Sequence, residues 1–284
     1  MSIGKHLRMR NIIDPGSGTS LMFAFSHGTS VPTVLNGIEH PTEQLRAARA
    51  GGADCIFLTP GLLQTLSPVI AESRELGIVA KITATATRGE RRNQESVIAS
   101  VESCAELGVD GVVALLPFAP ENEPEMIAFA GHLGEQCRRM GLPFIAEAEF
   151  PNAYYEGDED YATSWGLPYL RRSARLSVEL GADIVKSNWP GSAEWFSEIV
   201  DCVPVPVVVA GGSRVSDLDL LERVLDARNA GAAGTSVGRN IFQHENPAGI
   251  TRALRAVLRK ECTPDEAVAR HLTSLSELSP AAAN

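Results

Sequence analysis

Lys186 carries the most chemical information in the sequence. It ends the run Gly181-Ala182-Asp183-Ile184-Val185-Lys186, whose counterparts elsewhere in the chain set it against Phe57, Val113 and Ser236, in the middle-to-late part of a strand. An ammonium is costly to keep in such a place, so desolvation favours the free amine, which can attack a carbonyl and hold the product as an iminium electron sink. The plainer alternative is a strand-end lysine that reaches solvent or pairs with a carboxylate. Glycines supply a second part. Val207-Val208-Val209-Ala210-Gly211-Gly212-Ser213-Arg214 runs an apolar strand into a glycine pair, and Ser236-Val237-Gly238-Arg239-Asn240 ends the next strand in a glycine and a guanidinium. Each glycine alone reads as a turn. Together, at consecutive strand ends, Gly211, Gly212, Ser213, Gly238 and Arg239 form a cradle in which backbone amides and a cation bind a phosphorylated small molecule.

Other residues could move protons or hold substrate. His27 ends an early strand beside Gly28, placed to touch a substrate or to make a structural hydrogen bond. Lys81 could bind substrate oxygens or repel the charge on Lys186. Glu147 and Glu149 alternate along one strand, so they share a face, and polarity argues for the inner one. Glu149 is the candidate for proton transfer, with a salt bridge to a neighbouring cation as the alternative. The acidic run Glu156, Asp158, Glu159 and Asp160 lacks histidine and reads as a solvated loop, so no metal site is expected.

The elements that must position these residues announce themselves through one recurring junction. Ala50-Gly51-Gly52-Ala53-Asp54-Cys55, Glu106-Leu107-Gly108-Val109-Asp110-Gly111, Glu179-Leu180-Gly181-Ala182-Asp183-Ile184 and, more loosely, Asn229-Ala230-Gly231-Ala232-Ala233-Gly234 each end a helix at a glycine and begin a strand at once. Strands at 21–26, 78–83, 144–150 and 205–211 complete a set of eight, and helical periodicity lies near 42–50, 62–76, 94–107, 123–140, 166–180, 192–200, 215–230 and 247–260. Apolar strands alternating with helices imply a parallel sheet covered on both faces, and this many units favour an α/β (β/α)8 TIM barrel over an open doubly wound sheet. Residues 1–261 read as one barrel with a short N-terminal extension, and 262–284 as an appendage at an interface or cap. The long connections 119–125 and 152–165 follow strands four and five, where such barrels build sites.

Bulk properties remove several function classes. The formal net charge of −10 argues against a nucleic-acid partner, which needs clustered Lys and Arg. Any anion must therefore be held locally. Cys55, Cys104, Cys137, Cys202 and Cys262 are scattered without CxxC pairing and read as reduced residues of a cytoplasmic protein. No apolar run reaches the roughly 18 residues of a membrane span, so no membrane partner is expected, and Met1 to Arg10 lacks the apolar core of a signal peptide.

Gly181 to Lys186, Ala210-Gly211-Gly212 and Val237-Gly238-Arg239-Asn240-Ile241-Phe242-Gln243 together resemble the archaeal-type class I fructose-bisphosphate aldolase family. That family includes aminodideoxyheptulosonate synthases and the thiolase that degrades a phosphorylated quorum-sensing signal. The resemblance spans roughly residues 5–260. It implies that Lys186 is a Schiff-base lysine needing no separate cofactor, that Gly211, Gly212, Gly238 and Arg239 bind a donor phosphate, and that the chain forms a homo-oligomer, with decameric rings known in the family. The sequence also departs from it. Where the family reads Asp-His-Gly, this chain has Ser26-His27-Gly28, and where it reads Tyr-Pro, this chain has Phe150-Pro151. Candidates to replace the missing proton carriers are His27, Glu147, Glu149, Tyr154 and Tyr155. The family register also turns Phe150 inward and the glutamates outward, against the polarity argument, unless a bulge reconciles them. The expectation is a Schiff-base-forming, aldolase-type lyase for a dihydroxyacetone-phosphate-like ketone, in a specialised biosynthetic form with a non-triose acceptor. Alternatives are a thiolase-like transferase, a non-catalytic sugar-phosphate-binding barrel, and an isomerase barrel without covalent chemistry.

Overall fold

In the structure, a computed structural model, residues 2–72, 75–87, 94–118, 122–150 and 159–272 are described. Strands β1 (Ser20–Ala24), β2 (Cys55–Leu58), β3 (Gly77–Lys81), β4 (Gly111–Leu115), β5 (Phe144–Ala148), β6 (Ile184–Ser187), β7 (Val207–Ala210) and β8 (Gly234–Val237) are each buried along their whole length. Each pairs in parallel with its sequence neighbour and β8 closes on β1, giving the (β/α)8 barrel. Helices Pro41–Gly51, Glu123–Met140, Ala193–Asp201, Asp217–Asn229 and Pro247–Leu258 fall close to the periodicity read from the sequence. Helix Glu159–Glu179 is broken at Gly166.

Two helical expectations need correction. The stretch 94–107 begins as a strand, Glu95–Val97, paired antiparallel with Thr83–Thr85. Its Glu-Ser-Val alternation matches the Thr-Ala-Thr opposite, and the helix starts only at Val101, capped by the Ser100 hydroxyl, which accepts the Ser103 amide at 3.1 Å. The stretch 62–76 holds two short helices, Pro60–Thr65 and Ser67–Ile70, because Pro68 starts a new turn rather than continuing the old one. The tail's helix Pro264–His271 is fastened by a capping box between Thr263 and Glu266 and buries Ala267, and residues 273–284 lie outside the described ones. Among the described residues no helix is long and apolar enough to cross a membrane. The cysteines are free, and burial pushes the Cys104 thiol up to about 11 and that of Cys137 to about 12, so both are packing residues.

The recurring junction works as a clamp. Gly52, Gly108, Gly181 and Gly231 take positive φ of 75°, 74°, 101° and 99°, which lets the helix end and the strand begin within a few residues. The aspartate two residues later then bonds back to the preceding strand. Asp54 accepts the amide of Leu21 at 2.7 Å, Asp110 that of Ile78 at 2.8 Å and Asp183 that of Phe144 at 2.9 Å. Asp110 and Asp183 also hold the N-terminal extension, through Asn11 at 2.6 Å and Lys5 at 2.8 Å, while Asp54 meets Arg259 at 3.0 Å. The fourth copy has Ala233, which offers no carboxylate and meets the preceding strand through its backbone, its amide donating to the Val207 carbonyl at 2.8 Å.

Inside the barrel the strand register stacks side chains from alternate strands in layers. The lowest is Cys55, Gly111, Ile184 and Gly234, closed from below by the buried Ile12, and above it lie Met22, Val79, Ile145 and Val208. The next layer is Phe57, Val113, Lys186 and Ser236, followed by Ala24, Lys81, Glu147 and Ala210. Chemistry therefore begins only in the upper half. Large and charged side chains fill the β2–β5 side of those layers, while Ala24, Ala210 and Ser236 leave space on the β7–β1 side.

Candidate active site

That space is a cavity of ≈ 160 Å³ at the C-terminal ends of the strands, lined by Lys186, Glu149, Asn188 and His27 together with the loops after β7 and β8. Lys186, Lys81, Glu147 and Glu149 are 5%, 2%, 3% and 3% exposed. The Lys186 ammonium lies 2.7 Å from Glu147 Oε1 and 2.7 Å from Glu149 Oε1, and Lys81 bonds the other oxygen of Glu147. Two lysines and two glutamates thus form one buried group. Burial pushes the Glu147 carboxyl up, but the charges of Lys186 and Lys81 outweigh it and hold that carboxyl below its usual range. Features of both sequence readings of Lys186 meet here: the residue is buried against the cavity and also pairs with carboxylates.

The question left open at β5 is settled in favour of the inner face for both glutamates. Phe150 turns away and stacks on Tyr169 at 5.7 Å, and its amide donates to Asn188 Oδ1 at 2.8 Å. Lys81 does not line the cavity. It pairs with Glu147, whose other oxygen meets Lys186. His27 does line it, packed edge-on against Phe242 with ring centroids 5.0 Å apart. Burial, followed by the charges of Lys186 and Arg239, pushes its imidazole down to about 3, so the ring is neutral near pH 7.

Gly211, Gly212, Ser213, Gly238 and Arg239 come together in the wall of the cavity that Lys186 also lines, as their spacing predicted. Gly212 has a φ of 70°, and a Cβ on Gly238 would meet His27 Cε1 at 2.3 Å and the Ala24 carbonyl oxygen at 2.7 Å. Both positions need glycine. Tyr154, Tyr155, Glu156 and Asp158, and the side chains of Glu159 and Asp160, lie outside the described residues. Sequence reasoning passed over Asn188 and Ser236 as site residues. Asn188 follows Lys186 by two and so shares its face, and Ser236 was already its counterpart in the repeat alignment. The Ser236 hydroxyl is buried in the cavity with no hydrogen-bond partner among the described residues.

Comparison with known proteins places this geometry. The family model described as DeoC/LacD family aldolase matches residues 11–244. A 2-amino-3,7-dideoxy-D-threo-hept-6-ulosonate synthase of Halobacterium salinarum is 30% identical over 253 residues, 88% of this chain and 90% of that protein. A class 1 fructose-bisphosphate aldolase from the same species is 30% identical over 258 residues, 89% of this chain and 95% of that protein. Among solved structures, an archaeal fructose-1,6-bisphosphate aldolase with its catalytic Lys covalently bound to the carbinolamine intermediate superposes with a TM-score of 0.76 at 24% identity, over 90% of this chain and 99% of that one. The fructose-bisphosphate aldolase from Slackia heliotrinireducens gives a TM-score of 0.80 at 21% identity, over 95% and 91%. At these identities the structural matches establish the fold.

Proposed function

The chain belongs to the DeoC/LacD aldolase family and is a class I aldolase-type carbon–carbon lyase, and from that premise we propose that Lys186 forms its Schiff base with a phosphorylated ketone of the dihydroxyacetone phosphate kind. The observation that carries this reading is Lys186 lining a cavity of ≈ 160 Å³, its nitrogen 2.7 Å from Glu149, together with the glycine loops and Arg239. A phosphate on those loops brings a carbonyl to the amine and turns attack into a positioned, effectively unimolecular step.

Glu149 is the proton carrier in this scheme. It takes the proton of the Lys186 ammonium; the neutral amine adds to the carbonyl, and a proton passes from nitrogen to oxygen to give the carbinolamine. Glu149 then returns its proton to that hydroxyl, which leaves as water, and the nitrogen lone pair completes the iminium. The site ends with one cation and a Glu149 carboxylate, as it began. Glu147 is poorly suited to this work because Lys81 and Lys186 hold it as a carboxylate, where it balances the positive iminium instead. Neutral His27 serves as a hydrogen-bond partner to substrate oxygens. The two proton carriers of the wider family that this chain lacks, together with relatives named as heptulosonate synthases, support an acceptor other than a triose phosphate. Assembly into a homo-oligomer belongs to the same proposal.

Loss of a donor C–H proton to the enamine needs no acceptor, so the reading can be tested before the acceptor is identified. With dihydroxyacetone phosphate in heavy water, the wild-type protein exchanges a hydrogen on the hydroxymethyl carbon, and Glu149→Gln slows that exchange by about 100-fold or more. No exchange by the wild type, or equal rates in both proteins, would overturn it.

A further inference from the structure

Asn240 stands behind the loop that follows β7, on the short helix Arg239–Phe242 after β8, and is 4% exposed. Its Nδ2 donates to the carbonyl oxygens of Gly211 at 3.2 Å and Ser213 at 3.0 Å, and its Oδ1 accepts the amide of Val215 at 3.0 Å. Arg223, on helix Asp217–Asn229, adds a weaker donor to the Gly211 carbonyl at 3.4 Å. One buried side chain therefore grips three peptide groups of one loop from behind.

The consequence follows from peptide geometry. In a trans peptide the C=O and N–H point in opposite directions. A Gly211 carbonyl turned back to Asn240 aims the Gly212 amide forward, and a Ser213 carbonyl turned back aims the Arg214 amide forward. Gly211, Gly212 and Ser213 line the cavity, and the amides of Gly212, Ser213 and Arg214 have no acceptor among the described residues. Forward-facing bare amides with a left-handed glycine between them make an anion nest. We infer that Asn240 is the positioning residue of this nest and, through the loop, sets the affinity for the donor's phosphoryl group. The inference rests on the proposed function only in taking that anion to be the phosphate of the donor ketone. Asparagine meets the requirement because the loop needs two N–H donors and one acceptor from a single short side chain. An aspartate keeps the acceptor, loses the donors and adds a negative charge behind a phosphate site.

The test compares wild type, Asn240→Ala, Asn240→Asp and Arg223→Gln. It measures the Kd for inorganic phosphate by titration calorimetry and the ratio of kcat/KM for dihydroxyacetone phosphate over unphosphorylated dihydroxyacetone, with thermal midpoints alongside. Both Asn240 variants are expected to weaken phosphate binding and lower the kcat/KM ratio by about tenfold or more, chiefly through KM, which is the loss of roughly one charge-assisted hydrogen bond. Arg223→Gln shifts both in the same sense by less, and supplies the result if the Asn240 variants do not fold. Unchanged phosphate affinity, an equal loss with both ketones, or a wild type that binds no phosphate would each overturn the inference. A wild type that binds phosphate yet exchanges no donor hydrogen would sink the proposed function while leaving the nest intact.

Discussion

Replacing Glu147 with glutamine removes the carboxylate that two buried ammonium groups share. Glu149 remains within 2.7 Å of Lys186, whereas Glu147 is the carboxylate in ion-pair contact with Lys81 among the described residues. Lys81 is 2% exposed, so it loses its counter-ion without gaining water. Removing one partner of a buried pair in this way costs about 3–5 kcal/mol. Combining Glu147→Gln with Lys81→Met removes the stranded charge and leaves Lys186 and Glu149 as a neutral pair. The double variant is therefore expected to recover about 2 kcal/mol relative to the sum of the single losses, within the range of coupling between residues in contact. Urea unfolding of wild type, both single variants and the double at pH 7 measures this. Burial opposes ionisation of Glu147, but Lys186 and Lys81 hold its carboxyl below the ordinary value of 4.5, so the stability it contributes is present above that pH and is lost on acidification. Glu147→Gln lacks that part of the acid slope. Single-variant losses that merely add, or a Glu147→Gln protein within about 0.5 kcal/mol of wild type, would refute the reasoning.

Two further expectations concern the cavity wall. The folded His27 imidazole, pushed down to about 3, lies below its ordinary value of 6.5, so as pH falls the unfolded chain takes up the proton first. Stability from this group is complete above about pH 6.5 and is lost between there and pH 3; His27→Gln removes that slope, as unfolding midpoints across the pH range would show, and an unaltered slope would count against it. Gly238→Ala must displace His27, whose Cε1 would lie 2.3 Å from the new methyl, and kcat/KM for the phosphorylated ketone is expected to fall about 100-fold, with wild-type kinetics as the contrary result.

What could be read before folding was what repeats or alternates. The glycine junctions gave the strand starts because a left-handed residue and an aspartate clamp are local requirements, and the same alignment set Lys186 and Ser236 as counterparts that the barrel places in one layer. Glu147 and Glu149 share a face by simple alternation, yet their side of the sheet depended on Lys81 and Lys186 lying across from them, which no single strand encodes. The carboxylate partners of Lys186 were hidden for the same reason, since burial is visible in a strand pattern and the pairing with a neighbouring strand is not. The hairpin Thr83–Thr85 with Glu95–Val97 was missed because three-residue strands are too short for a period to declare itself. Asn240 could be read as part of a motif, but its grip on Gly211 and Ser213 exists only once two loops meet.

Borohydride reduction decides whether the buried amine is the covalent centre. The protein is incubated with dihydroxyacetone phosphate, reduced, digested and mapped by mass. A single stable adduct is expected on the peptide that holds Lys186, and none in Lys186→Met. An adduct on Lys81 instead, or an unmodified chain that still binds the ketone, would contradict Schiff-base chemistry at this position.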